Sequence, residues 1–212
     1  MADSASLSST YIHIRPAKNS DQDSLLHLRQ RVWLSDPYKT SGEAHSYADL
    51  ITNEGRCERF VVEVAGLIVG VAGSYLDQVN LAGEPHIARG LQQIANSFTD
   101  SPFALAESVL FGHIQELIVD PSWRNQRIGT LLGRYLFSKL TEKDKVAYYK
   151  LHLPRFVQRK IGKENMTALK IVKTRDNIPG HGKHPEETRV ELIAPIEPTC
   201  SALSDRLTLS FV

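Results

Sequence analysis

The period of the hydrophobic pattern changes abruptly in the middle of the chain, and this change limits the folds that the sequence can adopt. Residues 113–119 are rich in apolar side chains of the kind that favour a strand, and Asp120 and Pro121 end that strand. From Ile128 onward, apolar side chains recur every three or four positions, which predicts a helix over residues 129–139. The sequence therefore predicts a strand, a short polar loop and a helix in direct succession.

The polar loop before this helix has the properties of an anion-binding site. The first backbone N–H groups of a helix have no partner within it, and the helix dipole places partial positive charge there. Arg124 and Arg127 add planar cationic side chains that suit phosphate oxygens, and Gly129 lets a ligand approach the backbone closely. A pyrophosphate group fits such a site. The alternative is a plain strand–helix connection with solvated arginines, and these residues alone leave both interpretations open.

The remaining segments predict a mixed α/β sheet. Residues 11–15 alternate like a half-buried strand, and Ser20 and Asp23 form a capping-box pattern before an amphipathic helix. Residues 58–75 are typical of a hairpin that turns at Gly66. Further segments are predicted as a weak helix at 41–53, a helix at 87–98, a strand at 146–153, helical structure at 155–173, a loop at 177–185 and a last strand at 188–193. Hairpins mixed with strand–helix–strand crossings indicate a mixed sheet flanked by helices.

The length and the order of segments predict one domain. A chain of 212 residues suffices for a single substantial core. We expect a disordered tail at residues 1–10 and one domain at 11–212. Residues 78–111 are expected to form a helical insertion before the central strand, and long insertions often serve as lids or binding loops.

Charge and composition exclude several classes of function. The 25 basic and 24 acidic side chains leave a net charge of +1, so no global basic field favours nucleic acid or an anionic membrane. Cys57 and Cys200 are isolated thiols, which predicts neither a disulfide framework nor a zinc site. No secretory signal or apolar run of about 20 residues is present, so we expect a cytoplasmic protein. His152, His181 and His184 lack partners at ligand spacing, so no metal site is predicted.

The strand–loop–helix run resembles the acetyl-CoA motif of the GNAT superfamily of acyl-coenzyme-A-dependent N-acyltransferases. That motif reads Arg/Gln-x-x-Gly-x-Gly/Ala after a strand that ends in Val-x-Pro. Val119 and Pro121 match the strand end, Arg124 matches the first motif position and Gly129 matches the second glycine. Arg127 stands where the family has its first glycine. This departure implies either that Arg127 adopts the loop conformation at an energetic cost, with its side chain turned away, or that the pyrophosphate site is reshaped.

The resemblance extends in topology over residues 11–193, with weaker matches at 14–17 and 64–70. It implies a GNAT-like twisted mixed sheet, acetyl-CoA or another acyl-CoA as co-substrate, and a small-molecule or peptide amine as acceptor. The coenzyme-binding residues that it implies are Leu117, Ile118, Val119, Arg124, Asn125, Gln126, Arg127, Ile128, Gly129 and Thr130. The oligomeric state stays open, with a homodimer among the alternatives.

The resemblance also implies direct attack of the amine on the thioester. In the family, the pantetheine arm pairs with exposed strand backbone, here at residues 117–119, and a backbone N–H near Leu117 would stabilise the oxyanion. The predicted base is Glu116, beside the presumed carbonyl, or His113, because imidazole titrates near pH 6.5. Ideal alternation puts the two on opposite faces of the strand, so one is expected to face the cleft unless a bulge intervenes. The alternative interpretation of Glu116 and of His113 is a polar strand-end residue that pairs with a neighbouring side chain and has no catalytic role.

Two features keep other functions open. The family's frequent general acid, a tyrosine in the helix after the fifth strand, has no counterpart in residues 155–173, so the acid must lie elsewhere or be water. An acyl-homoserine-lactone synthase shares the sheet architecture but takes its acyl group from a carrier protein, and the motif at residues 124–130 argues against it. A non-catalytic coenzyme-A-binding or interaction module is the second alternative, because Arg127 and the missing tyrosine depart from the catalytic pattern.

Overall fold

The computed structural model describes residues 10–35, 57–97, 106–154, 162–178, 189–196 and 206–209. Its strands are β1 (Thr10–Pro16), β2 (Glu58–Val64), β3 (Leu67–Asn80), β4 (Ser108–Val119), β5 (Tyr148–Pro154), β6 (Val172–Ile178), β7 (Arg189–Pro195) and β8 (Arg206–Leu209). Its α-helices are α1 (Gln22–Ser35), α2 (Pro85–Asn96), α3 (Ile128–Glu142) and α4 (Lys163–Ala168). Residues 1–9 of the tail expected at 1–10, the weak helix expected at 41–53 and Cys200 lie outside the described residues, whereas Thr10 begins β1.

The strands form one mixed sheet in the order β6-β7-β5-β4-β3-β2-β1-β8. Every neighbouring pair is antiparallel except β4 and β5, whose connection through α3 makes them parallel. The hairpin of β2 and β3 turns at Ala65 and Gly66, which both have the positive φ (49° and 80°) that a tight two-residue turn requires. The predicted fold class, a mixed sheet flanked by helices, is confirmed.

Apolar layers hold α3 and α1 against opposite faces of the sheet. On one face, Leu132 of α3 packs in a core that includes Val62. On the other face, Leu28 of α1 packs against Val61 and Val71. The adjacent residues Val61 and Val62 thus serve opposite cores, as the alternation of a strand dictates.

The helix α2 covers the sheet near β6 and β7, on the same face as α1. Leu91 of α2 packs with Val79 and Ile193 in a separate apolar cluster. A Cβ atom at Gly90 would lie 2.6 Å from Thr174 and 2.8 Å from Ile193, so a glycine is needed for α2 to approach the strands this closely. None of the helices in the described ranges is long and apolar enough to span a membrane.

The structure departs from the sequence prediction at sheet edges and at one helix start. The sequence does not predict β6, because this edge strand is mostly polar, nor β8 at the opposite edge. The loop predicted at 177–185 therefore begins inside a strand. Ser20 lies inside a 3₁₀ turn rather than capping the helix, and Asp21 instead accepts a hydrogen bond from the backbone N–H of Lys18 at 2.7 Å.

Candidate functional site

The sheet opens between β4 and β5. The two strands pair only as far as Ile114 and Leu151. β4 continues to Val119 and stays paired with β3, but among the described residues no strand pairs with its other edge beyond Ile114. The backbone of residues 115–119 therefore faces an open cleft, which is the arrangement that the pairing of a pantetheine arm needs.

A β-bulge redirects the side chains of β4 beside this cleft. β3 pairs Ser74 with Ile114 but Gly73 with Glu116, so Gln115 is an extra residue in β4. The shift places Glu116 on the same face of the sheet as His113, the face that α1 covers. The expectation from ideal alternation, that these two side chains lie on opposite faces, is wrong for this reason.

The loop between β4 and α3, residues 120–127, has a concave backbone. Asn125 and Arg127 have positive φ values of 65° and 62°, a conformation that costs a non-glycine residue roughly 1–2 kcal/mol. Arg127 is also the N-cap of α3, so the first N–H groups of that helix adjoin the loop. Backbones with left-handed residues of this kind form anion-binding nests. Arg127 therefore adopts the left-handed conformation that glycine accommodates most easily.

Asp120 fixes the start of this loop, a role that the sequence analysis does not assign to it. Its carboxylate accepts hydrogen bonds from the backbone N–H of Ser122 at 2.9 Å and from Nε of Arg31 on α1 at 2.7 Å. Burial alone would raise the pKa of Asp120, but these hydrogen bonds outweigh burial and lower it. The signal in the sequence is an aspartate directly before Pro121, a residue pair that starts many helical turns.

The loop and the start of α3 line a groove of about 440 Å³. Seven of the ten coenzyme-binding residues implied by the sequence line it: Val119, Arg124, Asn125, Arg127, Ile128, Gly129 and Thr130. Trp123 lines it as well, although the sequence motif does not include that position. Gln126 is not among the lining residues, and Leu117 and Ile118 lie along β4, where Leu117 is 47% exposed. The role of all ten in coenzyme binding stays a prediction.

Glu116 is the centre of a buried ion cluster. Arg29 on α1 donates from Nη2 to Oε1 at 2.7 Å and from Nε to Oε2 at 3.1 Å. Nε of Arg59 on β2 donates to Oε1 at 2.9 Å. The Arg29 side chain is 0% exposed and that of Glu116 is 5% exposed. Both carboxylate oxygens therefore bind charged donors, and removal of one partner from such a buried ion cluster is costly.

His113 lies among aromatic rings beside this cluster. Its ring stacks on Tyr75 with a centroid distance of 4.5 Å, and His152 meets it edge-on at 4.8 Å. Burial, with smaller contributions from His152 and Lys150, lowers the pKa of His113 to about 4. The imidazole is therefore neutral at pH 7, and its buried Nδ1 has no hydrogen-bond partner within the described part of the chain.

A second polar cluster surrounds Glu191 on β7, and the sequence analysis does not assign it a function. The carboxylate of Glu191 lies 3.0 Å from Nε2 of His86 and 3.3 Å from Nε2 of His152. Lys150 forms ion pairs with Asp77 and, at 3.8 Å, with Glu191. These side chains come from α2, β3, β5 and β7, so no local motif announces them. No three of the metal-ligating side chains in the described ranges are arranged to hold a metal ion.

The sequence comparison identifies the family. A model described as the Acetyltransferase (GNAT) family matches residues 23–156, more than half of the chain. The chain belongs to the GNAT acetyltransferase family. A comparison with curated proteins gives no match.

Solved GNAT structures share the fold at low sequence identity. The ribosomal-protein-S18-alanine N-acetyltransferase from Escherichia coli is 17% identical, with a TM-score of 0.54 over 91% of this chain and 99% of that chain. Arabidopsis thaliana NAA60 in complex with a bisubstrate analogue is 11% identical, with a TM-score of 0.55 over 87% and 97% of the two chains. NAA60 in complex with acetyl-CoA is 12% identical, with a TM-score of 0.55 over 87% and 98%. At these identities the similarity establishes the fold alone.

The strained arginine of the GNAT loop gives a first prediction. Arg127→Gly is expected to raise the free energy of unfolding by about 0.5–1 kcal/mol, because glycine adopts positive φ without the Cβ clash and this gain exceeds its entropic cost. Arg124→Gly is the matched control, since Arg124 is extended (φ −69°) and has no positive φ for glycine to relieve. Glycine there adds chain entropy in the unfolded state and removes the 3.4 Å hydrogen bonds to Val119 and Ser35. Urea unfolding of both variants measures the difference. Equal losses of stability in the two variants would contradict the strained loop.

Proposed function

We propose that this GNAT protein transfers an acetyl group from acetyl-CoA to a primary amine of a small molecule or peptide. The observation that carries the proposal is the open edge of β4 ending in an anion-binding groove. The family match supports the reaction type, and the complex of NAA60 with acetyl-CoA supports the choice of acyl donor. A cytoplasmic location, the absence of nucleic-acid and membrane partners, and a homodimer remain predictions.

The residues of the groove suit coenzyme A. Arg124 and Arg127 bring two cationic side chains to a site where the loop backbone and the helix dipole also favour phosphate oxygens. Gly129 keeps the first turn of α3 free of side-chain bulk on the groove. The unpaired backbone of residues 115–119 then has the donors and acceptors for the amides of the pantetheine arm, much as an added strand would use them.

The environment of Glu116 favours a structural role for it. Its contacts with Arg29 and Arg59 join α1, β2 and β4 directly beside the bulged Gln115. We propose that this cluster holds β4 in its bulged form, and that an imidazole on the same face accepts the amine proton instead. Among the described residues, His113 and His152 lie on this face in ring contact with each other, and His86 lies on the far side of Glu191 from the strand opening.

Binding of acetyl-CoA is the experiment that tests this function first. Acetyl-CoA at 100 times its dissociation constant is expected to stabilise the folded chain by about 2.7 kcal/mol, because it binds the folded state alone. Differential scanning fluorimetry with acetyl-CoA, free coenzyme A and longer acyl-CoA esters measures the shift and ranks the acyl chains. An unchanged melting temperature with every ester, together with flat calorimetric titrations, would contradict the proposal.

A further inference from the structure

A pocket of about 640 Å³ lies between the sheet and the start of α2. Three carboxylates line it, those of Asp77, Glu84 and Glu191, together with two basic side chains, Lys150 and Arg175. The formal charges of these five side chains, three negative and two positive, sum to −1. A cavity with a negative field favours a cationic ligand such as an alkylammonium ion over an anionic one.

His152 connects this pocket with the cleft. Leu151 is the last residue of β5 that pairs with β4, so His152 is the first residue beyond the point where the strands separate. It lines the pocket with a side chain that is 22% exposed, and its ring contacts that of His113. A ligand amine in the pocket would therefore lie near an imidazole at the opening between the strands.

Glu191 orients this imidazole. The contact between the carboxylate and Nε2 of His152 assigns the proton to Nε2 and leaves the lone pair on Nδ1. Burial alone would raise the pKa of Glu191, but the hydrogen bond with His152 and the charge of Lys150 lower it to about 2. Glu191 is thus an anion at pH 7, and an anion at this position stabilises the imidazolium that forms when Nδ1 takes up a proton.

His113 is less suited to this task. Burial and the neighbouring charges lower its pKa to about 4, so at pH 7 it takes up a proton poorly. His152 is more exposed than His113 and has the Glu191 carboxylate beside it. The two rings are in contact but have different environments. His113 is buried and neutral, whereas His152 has an anionic partner and lines the pocket.

We propose that this pocket binds the acceptor as an alkylammonium ion and that His152, held by Glu191, receives the proton. The proposal rests on the proposed acetyl transfer. The ammonium gives one proton to Nδ1 of His152, and the neutral nitrogen then forms a bond with the thioester carbonyl carbon. The carbon–sulfur bond breaks, the electron pair leaves with sulfur, and a second nitrogen proton passes through water to the thiolate. The products are the amide, the thiol of coenzyme A and the proton on His152, which returns to solvent.

The pH dependence of this step has a defined sign. Among the described residues, the titratable or charged groups that line this pocket or touch the His152 ring are Asp77 from β3, Glu84 before α2, His86 from α2, His113 from β4, Lys150 from β5, Arg175 from β6 and Glu191 from β7. An imidazole base gives the rate an acidic limb, because its protonated form is inactive. Removing the anion in Glu191→Gln disfavours the imidazolium, so the acidic limb is expected to move to lower pH.

The test compares His152→Gln and Glu191→Gln with wild type and with His27→Gln, an exposed histidine on α1 that serves as the control. Butylamine, 1,4-diaminobutane and a short peptide with a free N-terminus are the acceptor probes. The rate of acetylation by His152→Gln at pH 7 is expected to fall by about 10²–10⁴-fold, with unchanged affinity for acetyl-CoA. The difference in rate between His152→Gln and wild type should become smaller as the pH approaches the pKa of the amine, because neutral amine then needs no base. His152→Gly should recover rate with added imidazole.

Each outcome bears on the proposal separately from the function. A deficit of the same size at every pH, or a wild-type profile in His152→Gln, would overturn the role of His152 while acetyl transfer stands. Loss of the acidic limb in His113→Gln instead would assign the proton to the neighbouring ring. Absence of acetylation by wild type with all three amines, or absence of acetyl-CoA binding, would overturn the proposed function itself, and the acceptor pocket with it. If His152→Gln does not fold, Glu191→Gln replaces it, because a shift of the acidic limb of its pH–rate profile tests the same contact between Glu191 and His152.

Discussion

Arg29→Met is expected to lower the free energy of unfolding by about 3–5 kcal/mol, because it removes one partner of a buried ion pair and leaves the other in place. The Arg29 side chain is 0% exposed and binds both oxygens of Glu116, which is 5% exposed. Methionine retains much of the volume, so the loss reports the charge rather than a large cavity. Urea unfolding, read by circular dichroism, measures the effect.

The double variant Arg29→Met with Glu116→Gln is the control for this prediction. Removing both charges should recover part of the lost stability, because no unpaired carboxylate then remains in the core. Arg31→Met, whose guanidinium is half-exposed and pairs with Asp120, should cost about 1 kcal/mol. Similar losses from Arg29→Met and Arg31→Met would show that the cluster around Glu116 is hydrated rather than buried.

Gly129→Val is expected to weaken binding of acetyl-CoA by about 100-fold, which corresponds to about 2.8 kcal/mol. A branched side chain at this position would stand in the groove where the first turn of α3 meets the phosphates. The fold itself has room, since a Cβ atom at Gly129 would lie 3.5 Å from Cγ2 of Val119, an ordinary contact. Calorimetric titration of acetyl-CoA into the variant measures the loss.

Gly129→Ala distinguishes the effect of side-chain size at this position from the effect of losing the backbone freedom of glycine. Its single methyl group should weaken binding less than valine does, while alanine raises helix propensity by about 1 kcal/mol over glycine. A graded loss from glycine through alanine to valine is expected, in proteins of near-equal stability. Unchanged affinity in a folded Gly129→Val would show that the phosphates do not lie against this turn.

The sequence predicts the run from β4 to α3 best, because neighbouring residues along the chain determine the structure of this run. Hydrophobic period, a proline and a helix start suffice to predict the strand and α3, and the positions of Arg124 and Gly129 follow from them. The left-handed backbone of Arg127 is one of the two alternatives that the family motif leaves open, and the structure decides in its favour. Most residues that line the groove can therefore be predicted from the sequence alone.

The face of β4 that carries His113 and Glu116 cannot be predicted in the same way, because long-range strand pairing determines which side chains lie on it. The extra residue Gln115 has no local signature, yet it moves Glu116 to the face of His113 and overturns the ideal alternation. The partner of Glu116 is Arg29, on a helix far away in sequence, and a buried guanidinium looks like any surface arginine in a single sequence. The role of Glu116 as a base is therefore a hypothesis that the contacts of its carboxylate with Arg29 and Arg59 disfavour.

The Glu191 cluster shows the same limit more strongly. His152 and Glu191 meet because β5 and β7 are sheet neighbours, and His86 reaches them because Gly90 lets α2 lie close to the strands. Each residue taken singly is typical of a polar position on an edge or in a loop. The sheet order brings them together, and that order is set by tertiary packing.

The decisive experiment for acetyl transfer is amine-dependent release of the coenzyme A thiol from acetyl-CoA. Wild-type protein is expected to release thiol at a rate that rises with the concentration of a primary amine, with one acetylated amine formed per thiol by mass spectrometry. Gly129→Val is expected to require a much higher concentration of acetyl-CoA for the same rate. Binding of acetyl-CoA without release of thiol, for every amine tested, would contradict the account and indicate a module that binds coenzyme A without catalysis.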